Sequence, residues 1–279
     1  MEQATEVFWH ADRDEWLESA NAGSLLVFDE GENHVLVMYA SEKVADLEEL
    51  TKRADEPGFI QMLALGDPKP VNEALDLLRQ QAEDGTLATL PGRGVLPTPS
   101  RAMIQDNTRE GLSDRHMSWL GEHVGYEWIF FYALEKIATP KQDEHVQKLG
   151  PEWISEVERV ITASNPITSA LRDIDKLTWY GYVDGNLLAG AMGVDRTEHS
   201  DGTTGSHFSG LGTDPAMQGN GVGGAVMAGT INRELEETDA ATFGMWSWNE
   251  KARRLYNRLG ITEGHEYITY SRQPLPEYE

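Results

Sequence analysis

Four glycines fall within the six residues Gly219-Asn220-Gly221-Val222-Gly223-Gly224. They lie between a strand-like run, 207–213, and a stretch with helical spacing through Val222, Val226, Ile231 and Leu235. Glycine in a helix is less favourable than alanine by roughly 0.5–1 kcal/mol. Helix stability therefore does not explain this clustering. A backbone that needs positive φ and close approach to another group does. The start of a helix offers unpaired N–H groups and the positive end of the dipole, so strand, glycine loop and helix together form a cradle for an anion such as phosphate. The plain alternative is a glycine-rich helix packed tightly on a sheet.

Three phosphate loops compete for this segment. A P-loop requires Gly-Lys-Ser/Thr, which is absent. A dinucleotide fold requires Gly-x-Gly-x-x-Gly directly after the strand. Here Asp214-Pro215-Ala216-Met217-Gln218 intervenes and the glycine phase differs. The third is a loop that holds the pyrophosphate of acetyl-CoA.

A second pattern lies downstream. A strand-like run, 242–248, precedes Asn249-Glu250-Lys251-Ala252-Arg253-Arg254-Leu255-Tyr256-Asn257-Arg258-Leu259-Gly260. Asn249 suits an N-cap. Ala252, Leu255, Tyr256 and Leu259 fall on one helical face, and Gly260 suits the C′ stop. The run from Gln218 to Gly223 resembles the Gln/Arg-x-x-Gly-x-Gly/Ala motif of the GNAT superfamily of N-acetyltransferases. The Asn249 helix is similar to that superfamily's Asn-x-x-Ala-x-x-Leu-Tyr-x-x-Leu-Gly-Phe, with Ile261 in place of Phe. The two motifs stand in family order and the resemblance spans roughly 126–279. It implies a GNAT fold of the α/β (α+β) class, a mixed central sheet flanked by helices, with acetyl-CoA as cosubstrate and no metal.

The resemblance also implies roles. An amine attacks the thioester directly, so the amine must lose a proton and the leaving thiolate must gain one. Tyr256 matches the residue that protonates the thiolate; a phenol, with a usual pKa near 10, can donate at neutral pH. Leu211, Gly212 and Thr213 match the strand that holds the pantetheine and thioester, with Thr213 where Val is common. Gln218, Gly219, Asn220, Gly221, Val222, Gly223 and Gly224 match the pyrophosphate loop. Asn249 and Ala252 match positions beside the pantetheine arm. By period 2, His207, Ser209, Leu211 and Thr213 share one strand face. His207 stands where some members carry a base, and imidazole chemistry suits that task. A strand-end histidine bound to a loop is the alternative, and Ser209 on the same face suits a relay water. Glu198 and His199 are weaker candidates, and a water alone serves many members.

The rest of the chain bounds the function. Net charge is −24, from 23 Lys+Arg against 47 Asp+Glu, which argues against a nucleic-acid partner; the acidity could attract a cationic amine, but a surface that confers solubility or salt adaptation is the stronger reading. There is no cysteine, so disulfides, thiolate metal sites and Cys nucleophiles are excluded. The acidic N-terminus and the lack of a long apolar run lead to the expectation of a cytoplasmic protein without membrane contact. His116 and His123 share a helical spacing, but nothing completes a metal set.

Two domains are expected. Residues 1–110 read as a smaller α/β domain: an amphipathic stretch at 12–20, a hairpin from 24–28 and 35–39, a helix at 44–52, a buried strand at 59–65 and a helix at 71–81. A Pro/Gly-rich segment, 91–100, suits a linker, and 101–123 is ambiguous. Residues 111–279 form the acetyltransferase domain. Tandem acetyltransferases such as mycothiol synthase pair an active copy with a degenerate one. The first domain is compatible with a degenerate copy that covers the substrate cleft or mediates a homodimer. The functional expectation is acetyl transfer to a primary amine of a small molecule or peptide. The alternative is a non-catalytic acetyl-CoA-binding sensor or scaffold.

Overall fold

A computed structural model describes residues 23–30, 33–41, 60–65, 68–86, 93–95, 98, 101–121, 123–138, 142–198 and 203–271. These gather into two compact units. One holds the described residues within Asp12–Trp128 and His265–Glu279, the other those within Ile129–Gly264. The helices expected at 12–20 and 44–52 lie outside the described residues.

The first lobe runs through β1 (Gly23–Glu30), β2 (Asn33–Ser41), β3 (Ile60–Leu65), α1 (Pro68–Asp84), β4 (Arg101–Gln105), α2 (Asp106–Glu110), α3 (Asp114–Trp119) and the start of β5 (His123–Ala133). The second lobe takes the rest of β5, then β6 (Val146–Lys148), α4 (Ile154–Ser164), β7 (Thr178–Asp184), β8 (Leu187–Glu198), β9 (Thr204–Thr213), α5 (Val222–Glu234), β10 (Ala240–Trp246), α6 (Glu250–Leu259) and the start of β11 (Thr262–Ser271). From His265 onward β11 returns to the first lobe.

In the first lobe β1 and β2 form the expected hairpin, with Glu30 opposite Asn33. β2 pairs antiparallel with β3, and β3 pairs parallel with β4 across the α1 crossover. Val71, Leu75, Leu78 and Ala82 recur on one face of α1 and are fully buried. The ambiguous stretch after residue 100 resolves into β4 and two short helices. Ser113 caps α3 by accepting from the His116 N–H. β11 completes this lobe's sheet, running antiparallel to β4 from Tyr267↔Gln105 to Ser271↔Arg101.

In the second lobe the strand order is β5-β10-β9-β8-β7-β6. Pairing is antiparallel from β6 to β9 and parallel between β9 and β10. The expected turn at Asp184-Gly185-Asn186 joins β7 to β8, with Gly185 at φ +60. The polar segment expected as a loop over 198–205 is shorter, because Glu198 and Thr204 already pair across β8 and β9. β6, at three residues, is too short to show a period and was not legible in the sequence.

α5 packs on one face of this sheet, where Val222, Val226, Met227 and Ile231 meet Phe131, Phe208 and Phe243. α4 packs on the other, where Val157, Val160 and Ile161 meet Trp179, Leu188 and Ala191. Near the end of α5 the carboxylate of Glu234 is fully buried. It accepts from the Tyr180 hydroxyl at 2.6 Å, the Ser206 hydroxyl at 2.6 Å and the Arg196 guanidinium at 2.6 and 2.9 Å. Burial alone would raise its pKa; the three donors outweigh that and hold it below the ordinary carboxyl value. This network ties β7, β8 and β9 to α5.

Candidate active site

β9 does not keep one phase along its length. Gly193 pairs with Ser209, but Ala191 pairs with Gly212, so Gly210 and Leu211 together oppose Met192. This is a β-bulge, and Gly210 takes φ +72. A side chain there would be strained, and its Cβ would fall 2.7 Å from the Ala170 Cβ. Before the bulge, Phe208 packs with α5, so His207 and Ser209 face the opposite side of the sheet. After it, Leu211 packs in the α5 core and Thr213 Oγ1 lies 3.1 Å from where a Gly223 Cβ would stand. Gly212 now faces α4, with Ile161 Cδ1 2.8 Å from its would-be Cβ. The expectation of one shared face for His207, Ser209, Leu211 and Thr213 is therefore corrected. The extra residue at the bulge places the first two on one face and the last two on the other.

The bulge accompanies a parting of strands. β10 pairs with β9 only at Ala240↔Gly205, Ala241↔Ser206 and Thr242↔His207. Beyond that rung β9 continues to Thr213 and β10 to Trp246 without further register partners in each other. The result is a wedge whose walls are strand backbone. Strand backbone in such a wedge can bind an amide-bearing chain; the Leu211 carbonyl there accepts from Asn165 Nδ2 at 3.2 Å.

The glycine loop lies at the wide end of this wedge. Asp214 accepts from the Ala216 N–H and turns the chain out of β9, and Arg159 on α4 donates to it at 2.7 Å. That guanidinium holds the Asp214 carboxyl below its usual range. Gly219 and Gly221 take φ +83 and +84. Gln218, Gly219, Asn220 and Gly221 are exposed. Gln218 Nε2 reaches the Thr213 carbonyl at 3.4 Å, and Asn220 Nδ2 the Met217 carbonyl at 3.3 Å. The first amide of this turn to find a helical acceptor is Ala225, on Gly221 O at 3.0 Å. The N–H groups of Val222, Gly223 and Gly224 are thus the orphan donors of the helix start. Their orientation and the open backbone fit a pyrophosphate. Gly224 also admits α6, since Leu255 Cδ1 lies 3.3 Å from its would-be Cβ.

α6 begins where the wedge opens. Asn249 caps it, its Oδ1 accepting from the Ala252 N–H at 3.1 Å, and Gly260 at φ +79 ends it. Ala252 is partly buried against the core. Tyr256 is buried, edge-on to Phe131 at 5.4 Å and Phe243 at 4.7 Å. Burial pushes its phenol up to about 12, so it stays protonated across the physiological range. Because Phe243 faces Tyr256, the preceding Thr242 faces the other side, with His207. His207 is exposed, and its Nδ1 lies 3.1 Å from Thr242 Oγ1. Tyr256 and His207 thus stand on opposite faces of the sheet, with the wedge between them.

Two neighbours of the site were not singled out from the sequence. Thr242 could be found only through the β9–β10 register. Gln142, whose Oε1 lies 3.3 Å from a would-be Gly221 Cβ, comes from a distant segment without a motif. Among the described residues no group of three or more His, Asp or Glu side chains is placed to hold a metal ion. Among them, too, no helix is long and apolar enough to cross a membrane.

Residues 141–261 match the model of the Acetyltransferase (GNAT) family. Solved structures share the fold along most of the chain. An acetyltransferase from the GNAT family of Colwellia psychrerythraea is 10% identical, covers 94% of each chain and has a TM-score of 0.52. A GCN5-related N-acetyltransferase from Sphaerobacter thermophilus is 12% identical, covers 90% of this chain and 84% of its own, and has a TM-score of 0.50. At such identities the likeness is one of fold. No curated protein matches the chain.

Proposed function

We propose that the protein, whose residues 141–261 match the Acetyltransferase (GNAT) family model, transfers the acetyl group of acetyl-CoA to a primary amine of a small molecule or peptide. The observation that carries the reading is the wedge between β9 and β10, ending on the glycine loop and flanked by a protonated phenol and a free imidazole edge. Val222, Gly223 and Gly224 donate their N–H groups to the pyrophosphate. The β9 backbone around Leu211, Gly212 and Thr213 holds the pantetheine arm, with Asn249 and Ala252 alongside. The bound cosubstrate supplies an acyl carbon activated as a thioester.

The proton steps balance across the sheet. His207 Nε2 takes a proton from the ammonium form of the acceptor on one face. The amine nitrogen bonds to the acyl carbon, the C–S bond breaks, and the second proton on nitrogen leaves through water to solvent, from which the Tyr256 phenolate is later reprotonated. Tyr256 gives its proton to the departing sulfur on the other face. A phenol pushed up to about 12 is a weaker acid than a thiol, so it protonates the departing sulfur only through a direct hydrogen bond at close range, beside the wedge. Ser209, on the face of His207, orders water for the same transfer.

The first lobe repeats the order strand, helix, parallel strand but lacks the site's features. β3 and β4 stay paired through Ala64↔Ile104, near the ends of both strands, so no wedge opens. α1 begins Pro68-Lys69-Pro70, and the two prolines carry no N–H to offer an anion. This favours a non-catalytic role for residues 1–110.

The test is a CoA-release assay over a panel of amines with wild type, Tyr256→Phe and Gly221→Asp. We expect release with at least one amine and a fall in kcat of about a hundredfold for Tyr256→Phe. Gly221→Asp, which adds charge at a positive φ, is expected to abolish CoA binding by calorimetry. CoA binding with no release on any amine would instead support a sensor.

A further inference from the structure

His207 and Thr242 are the last register pair before β9 and β10 part. Thr242 is 6% exposed, and its hydroxyl donates to the Ser206 carbonyl oxygen at 3.5 Å. The Ser206 end is fixed in place, since its own hydroxyl is committed to buried Glu234. A carbonyl can only accept, and a threonine hydroxyl has a single proton. With that proton directed at Ser206, Thr242 Oγ1 meets His207 Nδ1, 3.1 Å away, as an acceptor. Nδ1 is then the protonated ring nitrogen. A neutral imidazole carries one N–H, so the lone pair is on Nε2. Among the described residues nothing bonds Nε2, and the ring is exposed where the wedge opens.

We propose that Thr242 is a positioning residue: the relay from His207 Nδ1–H to Thr242 Oγ1–H to the Ser206 carbonyl selects one tautomer of His207 and presents Nε2 to the incoming amine. This rests on the reading of His207 as the base. Where Thr242 donates to the Ser206 carbonyl, the relay has a single direction, since a carbonyl oxygen cannot donate. Asp195, the register partner of His207 on β8, is the charged residue on the other side of the ring's strand. It is exposed and has no part in the relay.

The test is two-bond 1H–15N correlation spectroscopy of the histidine rings of the full chain at a pH where they are neutral, with steady-state kinetics on Thr242→Val, Thr242→Ser and His207→Ala. His207 signals are identified by their loss in His207→Ala. The expected result is an unprotonated Nε2 in wild type and Thr242→Ser, and a shift toward protonated Nε2 in Thr242→Val. Thr242→Val should lose about tenfold to a hundredfold in kcat, with the KM for acetyl-CoA unchanged and Thr242→Ser restoring most of the rate. A wild-type His207 protonated at Nε2 overturns the proposal, even should Thr242→Val not fold. So does a Thr242→Val enzyme with wild-type tautomer and rate beside a slow His207→Ala. A His207→Ala enzyme as fast as wild type removes the base instead, while the spectra still report whether Thr242 sets the tautomer.

Discussion

Single side chains in this protein carry consequences well beyond their own contacts, and Glu234 is the clearest. Its folded pKa lies below the ordinary carboxyl value because Arg196, Ser206 and Tyr180 all donate to it. A depressed carboxyl pKa adds stability that is complete above the unfolded value, near 4.5, and is lost as pH falls through the folded one. Glu234→Gln should therefore flatten the loss of stability as pH falls below about 4.5, read as urea midpoints against wild type. At neutral pH the same change should destabilise by about 2–3 kcal/mol. That is less than for a fully buried pair, because the Arg196 side chain is 35% exposed. An equal acid slope in both proteins would remove Glu234 from the account. Among the candidate site residues, Tyr256 and the loop glycines were legible as types at motif spacing. Thr242 was not, since nothing near it in sequence marks which strand it will lie beside.

At the scale of the element, the bulge in β9 does most to shape the site. The sequence pattern of β9 reads as one continuous strand, yet one extra residue changes which face each later side chain takes. Gly210 makes this tolerable, at φ +72 with Ala170 against its missing Cβ. Gly210→Ala should cost about 1–3 kcal/mol, and Gly210→Val more. Both should weaken CoA binding more than they weaken the fold, because straightening β9 returns Leu211 to the face of His207. Calorimetric CoA titration beside thermal melting would check this; full CoA affinity in a folded Gly210→Val protein would show that the bulge does not shape the cradle. α6 is the opposite case. Its cap, face and stop all come from local residues, and Asn249, Tyr256 and Gly260 take the places their spacing requires.

At the scale of the whole molecule, chain order and strand order part company. β5 follows the first lobe's elements yet hydrogen-bonds to β10, and β11 follows the second lobe's elements yet pairs with β4. Tyr267, buried on β11, stacks on Trp128 at 4.5 Å within the first lobe. A fragment of residues 111–279 keeps β11 but loses β4, leaving Tyr267, Ile268 and Tyr270 without that neighbour. It should melt well below the full chain and self-associate through the bared strand edge, seen by circular dichroism and size-exclusion chromatography. A monodisperse fragment with full activity would show that the pairing of β11 with β4 is dispensable. By itself the sequence determined what depends on neighbours in the chain: the glycine cradle, the capped helix with Tyr256, the hairpins and the excess of acid over base. Only the tertiary structure decided the phase of β9, the wedge, the contact of His207 with Thr242, and which strands β5 and β11 pair with. Those depend on register between strands distant in sequence, which backbone hydrogen bonds set and local residue pattern does not encode.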